Sequence, residues 1–279
     1  MITTSAELEE LIDSTVNIPT IPTVLTEITA ILDSPDGSAK DAAAVIEKDP
    51  AIATRALRLV NSSFYGLKNP VSNINLGCSI LGLQVIKNLV VQATVLQTFQ
   101  SDEREVLDAD WLWDHSFKAA VACRMLAERT EIGGDVGKDD AYTCGLIHDI
   151  GKLILLDSQR DRYADAVRLS EQEQVPLAEA EARVFGFDHA HVGGMLAGRW
   201  KLAPAVQAAV MYHHSRATEA EGWSAGFLVK AANSYAHLAS GGDRGWRGDA
   251  LDHEALLALG LTEAEHLELL QATAEASLS

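Results

Sequence analysis

The amino-acid sequence predicts an all-α protein, and three observations indicate this. Apolar residues recur at three- and four-residue spacing along nearly the whole chain, as in TVLTEITAILDS at residues 23–34. Strict alternation of apolar and polar residues, which would indicate strands, is rare. Helix start signals recur at Asp188, at Pro204 and at Thr262, which is followed by Glu265 three positions later.

The helices can be assigned in chain order. After an N-terminal helix over residues 1–16 and the helix at 23–34, the segment 42–63 is predicted to form two short helices. Pro50 separates them because it cannot donate a backbone hydrogen bond and restricts Asp49 before it. Further helices are predicted near residues 80–98, 106–129, 139–156, 159–174, 176–185, 189–201, 204–213, 225–240, 252–259 and 263–276.

The composition excludes several classes of function. The chain has 279 residues and a formal net charge of −18, which disfavours direct DNA binding and adhesion to an anionic membrane surface. An uninterrupted run of about 18 apolar residues, which a membrane span needs, is missing. Its cysteines, Cys78, Cys123 and Cys144, form no CxxC pair and suit a reducing compartment. We therefore expect a cytoplasmic protein.

Candidate metal ligands are spread over four places in the sequence. They are His115, the adjacent His148 and Asp149 in GLIHDIGK, His189, and the adjacent His213 and His214. Imidazole and carboxylate are the usual ligands of zinc, iron and manganese, and a bridging carboxylate can hold two metals that activate water for phosphoester hydrolysis. Each histidine taken singly also fits a structural role. The remaining histidines, His191, His237, His253 and His266, are interpreted as surface or packing residues.

Several motifs together resemble a known family. LIHDIGK resembles the signature of the HD superfamily of metal-dependent phosphohydrolases. More closely, the chain is similar to the HDOD family, the HD-related output domains of bacterial signalling. That similarity rests on IPTIPTVLTEITAILDSPD (18–36), VIEKDPAIATRALRLVNSSFYG (45–66), ILGLQVIKNLVV (80–91) and FGFDHAHVGGMLAGRWKLAPAVQAAVMYHH (185–214), which occur in the family's order.

The resemblance implies a domain organisation. We expect an N-terminal helix at 1–16, an HDOD domain at 17–215 and C-terminal helices at 216–279 that complete the HD-like lobe. Within the HDOD domain, a helical N-terminal lobe at about 17–100 packs on an HD-like lobe at about 106–215, with the polar QSDERE stretch between them. The implied role is regulatory, without established catalysis.

The relatives that catalyse are the HD-GYP phosphodiesterases, which cleave cyclic di-GMP. Similarity to them implies metal ligands at His115, His148, Asp149, His189, His213 and His214, and a phosphate contact at Lys152. Two features depart from their pattern. SRATEAEG follows the paired histidines in place of a Glu and a Gly-Tyr-Pro stretch, and Asn233 stands where those enzymes carry their last aspartate ligand.

Asn233 favours a vestigial or partial site. An amide is a poor ligand for a transition metal, and two divalent ions would face a single carboxylate. The expected cofactor is a divalent iron, manganese or zinc ion at partial occupancy, and no catalytic residue is assigned. We therefore expect a non-catalytic output domain that binds a signalling protein or a small ligand. The alternatives are a phosphohydrolase with an atypical ligand set and a sensor of a nucleotide second messenger.

Overall fold

A computed structural model describes residues 8, 23–32, 34–61, 67, 70–83, 85–87, 90, 106–130, 132, 136–200, 202–215, 223–240 and 259–276. These residues form helices and connecting turns without a strand, so the all-α prediction is confirmed. The chain divides into two compact units. One comprises residues 19–102 with 275–279, and the other comprises residues 1–18 with 103–274.

The smaller unit is built from short helices around an aliphatic core. Its helices are α1 (Thr23–Leu32), α2 (Ala39–Ile46), α3 (Pro50–Val60) and α4 (Ile74–Leu81). The predicted division at Pro50 is confirmed, because α3 begins there. Ser38 and Asp41 close the start of α2 with a capping box. The buried core includes Val24, Ile28, Ile46, Ile52, Val60, Ile74 and Ile86.

Further described helices lie in the larger unit. They are α5 (Ala109–Arg129), α6 (Lys138–Ile147), α7 (Ile150–Ser158), α8 (Arg160–Glu173), α9 (Leu177–Phe185), α10 (His189–Arg199), α11 (Pro204–Tyr212), α12 (Trp223–Ala239) and α13 (Glu263–Glu275). The long helix α5 packs against α6 and α12, and α10 packs against α7 and α11. None of the described helices is long and apolar enough to cross a membrane.

Two predicted helix boundaries are wrong. The single helix expected at 139–156 is interrupted after Ile147, and α7 begins at Ile150. Asp149 has φ −94° and ψ 5°, a conformation outside the regular helix. Buried polar contacts of this residue, described below, outweigh the continuous helical preference of the sequence. The helix expected near residues 80–98 starts later than predicted, because α4 ends at Leu81 before Gly82, whose φ of 85° suits glycine, and the described residues 83, 85–87 and 90 are helical.

Some predictions fall outside the described residues. These are the helix at 1–16 apart from the buried Leu8, the QSDERE stretch at 100–105, the helix at 252–259 apart from Leu259, and residues 216–222 of SRATEAEG.

Two glycines set the spacing of the helices around the interruption. A Cβ atom on Gly145 would lie 2.5 Å from the carbonyl oxygen of Ala119, so α6 approaches α5 at backbone distance. A Cβ atom on Gly151 would lie 2.0 Å from the carbonyl oxygen of His189, so the start of α7 abuts the start of α10. The absence of side chains at these two positions brings His148 and Asp149 close to residues of neighbouring helices.

We expect Gly151→Ala to lower the free energy of unfolding by about 1–3 kcal/mol, because the added methyl group forces α7 and α10 apart. The matched control is Gly137→Ala, where the Cβ atom would meet Asp140 Oδ2 only at 4.0 Å and φ is −63°. The control should change stability by less than about 0.5 kcal/mol. Denaturant unfolding of both variants measures the difference, and equal effects would contradict the close-approach argument.

Candidate metal site

The larger unit gathers the six predicted ligands into one cluster, although they come from separate helices. His115 lies on α5, His148 and Asp149 lie at the interruption between α6 and α7, His189 begins α10, and His213 and His214 follow α11. Five of the six side chains are buried, and His214 is half-buried. The sequence-predicted residues are therefore brought together by the fold.

The carboxylate of Asp149 is the electrostatic centre of this cluster. Its Oδ2 atom lies 2.8 Å from Lys152 Nζ, 3.4 Å from His148 Nε2 and 3.8 Å from His115 Nε2. Its Oδ1 atom lies 3.2 Å from His189 Nε2. Burial alone would raise the pKa of Asp149, but its neighbours His148, Lys152 and His189 hold that pKa well below its usual range. Asp149 is therefore an ionised carboxylate.

Glu181 on α9 is a second buried carboxylate, and it holds His189 in place. One oxygen, Oε2, accepts hydrogen bonds from the backbone N–H of His189 at 2.8 Å and from His189 Nδ1 at 2.6 Å. The ring is thereby turned so that Nε2 faces Asp149. Burial lowers the pKa of His189, but Glu181 and Asp149 outweigh it and raise that pKa to about 10.

Two other rings are oriented by backbone carbonyl groups. His148 Nδ1 donates to the carbonyl oxygen of Gly145 at 2.7 Å, and His213 Nδ1 donates to that of Val210 at 2.6 Å. Because a proton occupies each Nδ1 atom, the lone pair is on Nε2, which is the usual arrangement of a metal-bound histidine. The carbonyl groups therefore fix the tautomer that a metal ligand requires.

The cluster contains two groups of atoms close enough to share an ion. We name them the Asp149 triad (His115, His148, Asp149) and the three-histidine triad (His189, His213, His214). Within each triad, one ligand atom from every residue lies within 4.8 Å of the others. Burial and neighbouring histidines hold the pKa values of His115 and His213 well below the ordinary value, so both rings are neutral. Neutral imidazole is the form that binds metal.

The donor set therefore fits a divalent transition metal. Among the described residues, neither ring nitrogen of His115 has a hydrogen-bond partner, and the same holds for His213 Nε2. A buried polar atom that lacks a partner is costly, and a metal ion would satisfy the nitrogen atoms. Iron, manganese and zinc all accept this combination of imidazole and carboxylate.

Sequence reasoning missed two residues of the site. Glu181 was not identified, although Leu177 and Phe185, four residues to either side, place it on the buried face of α9. His237 was interpreted as a surface or packing residue, and its position beside the cluster was not foreseen. Its ring lies 4.5 Å from the His115 ring, measured between centroids, and Trp111 stacks on the same histidine at 4.9 Å.

The other histidines lie outside the cluster or outside the described residues. His191 Nδ1 pairs with Asp188 Oδ1 at 2.7 Å, one turn into α10. His266 on α13 makes a hydrogen bond with the hydroxyl group of Tyr235. These contacts agree with the packing roles predicted for both residues. His253 lies outside the part of the chain that the structure describes.

Asn233 lies on α12 and is buried. It precedes His237 by four residues, so the two share one face of the helix. Since the His237 ring contacts His115, this face of α12 is directed toward the Asp149 triad. The prediction that the Asn233 amide lies near the cluster is compatible with this orientation of α12.

Comparison with known proteins defines the family. The family model of the HDOD domain matches residues 18–216, which is more than half of the chain. The chain belongs to the HDOD family. It is also 27% identical over 213 residues to an uncharacterized protein of Treponema pallidum, which covers 76% of this chain. The chain spans about 40% of the length of that curated relative.

Solved structures share the fold at lower sequence identity. An HDOD domain protein of Geobacter sulfurreducens matches with a TM-score of 0.75 and 24% identity over 96% of both chains. A proposed phosphohydrolase of Shewanella amazonensis matches with a TM-score of 0.71 and 22% identity, over 98% of this chain and 100% of the other chain. A proposed signal transduction protein of Marinobacter aquaeolei matches with a TM-score of 0.70 and 20% identity, over 92% of this chain and 58% of the other chain. These structures show that the chain has the fold of HDOD proteins.

We expect Glu181→Gln to lower the pKa of His189 from about 10, because the amide removes the negative charge beside Nδ1. Folded His189 binds its proton more tightly than an unfolded histidine of pKa 6.5. Its contribution to stability is therefore complete below pH 6.5 and is lost as the pH rises toward 10. This decline should become shallower in Glu181→Gln.

Denaturant unfolding of chelator-treated protein between pH 6 and pH 10, with nitrogen NMR of the imidazole rings, measures both effects. The matched control is Glu179→Gln, an exposed residue on the same helix whose carboxylate pairs with Arg183. In the control, the free energy of unfolding should fall with rising pH as steeply as it does in the wild type. A neutral His189 ring at pH 8 in the wild-type protein would contradict the assignment.

Proposed function

We propose that this chain is a regulatory output domain of signal transduction that acts by binding a protein partner and does not hydrolyse a phosphoester. The observation that carries this proposal is the charge of the cluster. Asp149 is the one carboxylate among the six candidate ligands, and it is already paired with the Lys152 ammonium group at 2.8 Å. Asn233, a neutral amide, stands where the resemblance to the HD-GYP phosphodiesterases implies a second acid.

A site that hydrolyses phosphoesters with two metal ions needs more negative charge among its ligands than the single carboxylate of Asp149 supplies. Two divalent ions in such centres lie about 3.5–4 Å apart and are held by shared acidic ligands. At an effective dielectric constant of about 20, two unit charges 4 Å apart repel each other by about 4 kcal/mol, and divalent ions multiply that figure. One carboxylate that is itself neutralised by Lys152 offsets little of this repulsion. The charges support binding of a single ion at most.

The chemistry of the surface and of Lys152 favours a protein partner over a nucleotide. With a net charge of −18, the chain repels phosphate groups at long range. The Lys152 side chain is 7% exposed and is paired with Asp149, so a phosphate group would have to break a buried ion pair to reach it. The signal transduction role named for the relative from Marinobacter aquaeolei supports the same proposal.

A second candidate function is metal-dependent phosphohydrolysis with an atypical ligand set. The observation that favours it is the convergence of all six predicted ligands, including two groups that could each hold an ion. The phosphohydrolase role proposed for the relative from Shewanella amazonensis supports this alternative.

We expect the wild-type protein to bind at most one equivalent of iron, manganese, zinc or cobalt. With these ions present we expect no turnover of cyclic dinucleotides or of a model phosphodiester. Asn233→Asp, which preserves side-chain size, should tighten metal binding because it adds the missing carboxylate. The matched control is Asn75→Asp on α4, an exposed residue of the smaller unit that makes the same change in charge.

Elemental analysis after dialysis and a coupled phosphodiesterase assay measure these quantities. Asn75→Asp should resemble the wild type in both. Multiple turnovers by the wild-type protein with two bound ions would contradict the proposal and favour the phosphohydrolase.

A further inference from the structure

Helix α4 of the smaller unit exposes two large apolar side chains to solvent. Leu76 and Ile80, one helical turn apart, are 43% and 49% exposed, whereas Ile74, Gly77 and Cys78 of the same helix are buried. A surface helix normally presents polar side chains on the face opposite its buried one. We call Leu76 and Ile80 the α4 ridge. Adjacent exposed apolar side chains, unlike scattered single ones, indicate an interaction surface.

The α4 ridge is held in place by hydrogen bonds at the start of its helix. The Asn61 side chain donates to the carbonyl oxygen of Val71 at 2.9 Å and accepts from the backbone N–H of Val71 at 2.7 Å. Asn73 then caps α4, because its side-chain oxygen accepts from the backbone N–H of Leu76 at 2.8 Å. A ridge that is ordered before a partner arrives loses less conformational entropy on binding.

The ridge lies in a stretch of the chain without charged residues. Residues 70–86 contain no Asp, Glu, Lys, Arg or His, although charged residues make up 22% of the sequence. Charged residues are depleted at the centre of protein–protein interfaces, because a buried charge that lacks a partner is costly. The ridge therefore fits an uncharged apolar surface on its partner.

The distribution of charge along the chain favours a second copy as this partner. Residues 19–102 contain seven acidic and six basic residues, whereas the rest of the chain contains 33 acidic and 16 basic residues. A basic protein is attracted to the segments that carry this negative charge, and the nearly neutral segment 19–102 attracts it little. A second copy is repelled by the acidic segments, so segment 19–102 is where it approaches at the lowest electrostatic cost.

We propose that two copies of this chain associate through the α4 ridge about a two-fold axis, the commonest symmetry of soluble oligomers. Because Leu76 and Ile80 are four residues apart, the ridges of two helices that cross at about −50° can interdigitate. Each copy then offers the other the same uncharged apolar surface. Interfaces below about 1,200 Å² are typical of weak complexes, so this small contact gives a dimer that forms at high protein concentration. The association goes beyond the function proposed above and does not depend on the metal cluster.

Sedimentation equilibrium of the full chain over a series of concentrations measures this association. We expect the weight-average mass of the wild type to rise above the 30.0 kDa of the monomer toward twice that value. Leu76→Glu should keep the chain monomeric, because it places two like charges within the contact. The matched control is Leu267→Glu on α13, where a 61% exposed leucine undergoes the same change outside the ridge. The control should associate as the wild type does.

Two further measurements test the symmetry and the role of charge. A mixture of Leu76→Glu and Leu76→Lys should associate as a heterodimer, although each variant alone stays monomeric. Raising the salt concentration from about 0.01 M to about 1 M shortens the Debye length from about 30 Å to about 3 Å. Since this screens the repulsion between two acidic copies, added salt should tighten the wild-type dimer several-fold. Circular dichroism should show that these variants fold, because the substituted leucines are exposed.

A wild-type chain that stays monomeric at every concentration would overturn the inference and leave the α4 ridge to a different protein. Equal weakening by Leu76→Glu and Leu267→Glu would overturn it as well, because the association would then not depend on the ridge. A dimer that weakens as salt is added would contradict the charge argument, which requires repulsion between the two copies.

Discussion

The ion pair between Asp149 and Lys152 is the constraint on which the rest of the site depends. A buried carboxylate is costly unless it is paired, and this one is stabilised by an ammonium group on one oxygen and an imidazole of α10 on the other. The pair determines which oxygen remains available to an ion and how much negative charge the cluster retains. The function proposed for the protein follows from the small negative charge that remains in the cluster.

The local fold is organised to place this carboxylate. Continuous helix from 138 to 158 would direct His148 and Asp149 about 100° apart, so that both could reach one centre only at its edge. The interruption between α6 and α7 relieves this restriction. Gly145 and Gly151 on either side allow the neighbouring backbones to approach, which brings His189 within hydrogen-bonding distance of Asp149. The close approach of the backbones thus makes possible the contact between the Asp149 carboxylate and the His189 ring.

Much of this could be predicted from the sequence, because helical periodicity and the family motifs are strong local signals. The all-α class and the division of helices at Pro50 are examples. The interruption at His148 and Asp149 could not be predicted, since it results from buried contacts between distant residues and neither of the two positions is a glycine or a proline. Glu181 was missed for a related reason. A glutamate between alanines resembles an exposed position, and its partner His189 lies eight residues away on another helix.

The most direct test of this account is a crystal structure of the zinc- or cobalt-loaded protein with anomalous scattering data. We expect at most one anomalous peak within the cluster, with Lys152 still paired to Oδ2 of Asp149. Two peaks bridged by Asp149, with Lys152 displaced from the carboxylate, would contradict the central claim that the cluster carries too little negative charge for a two-metal centre.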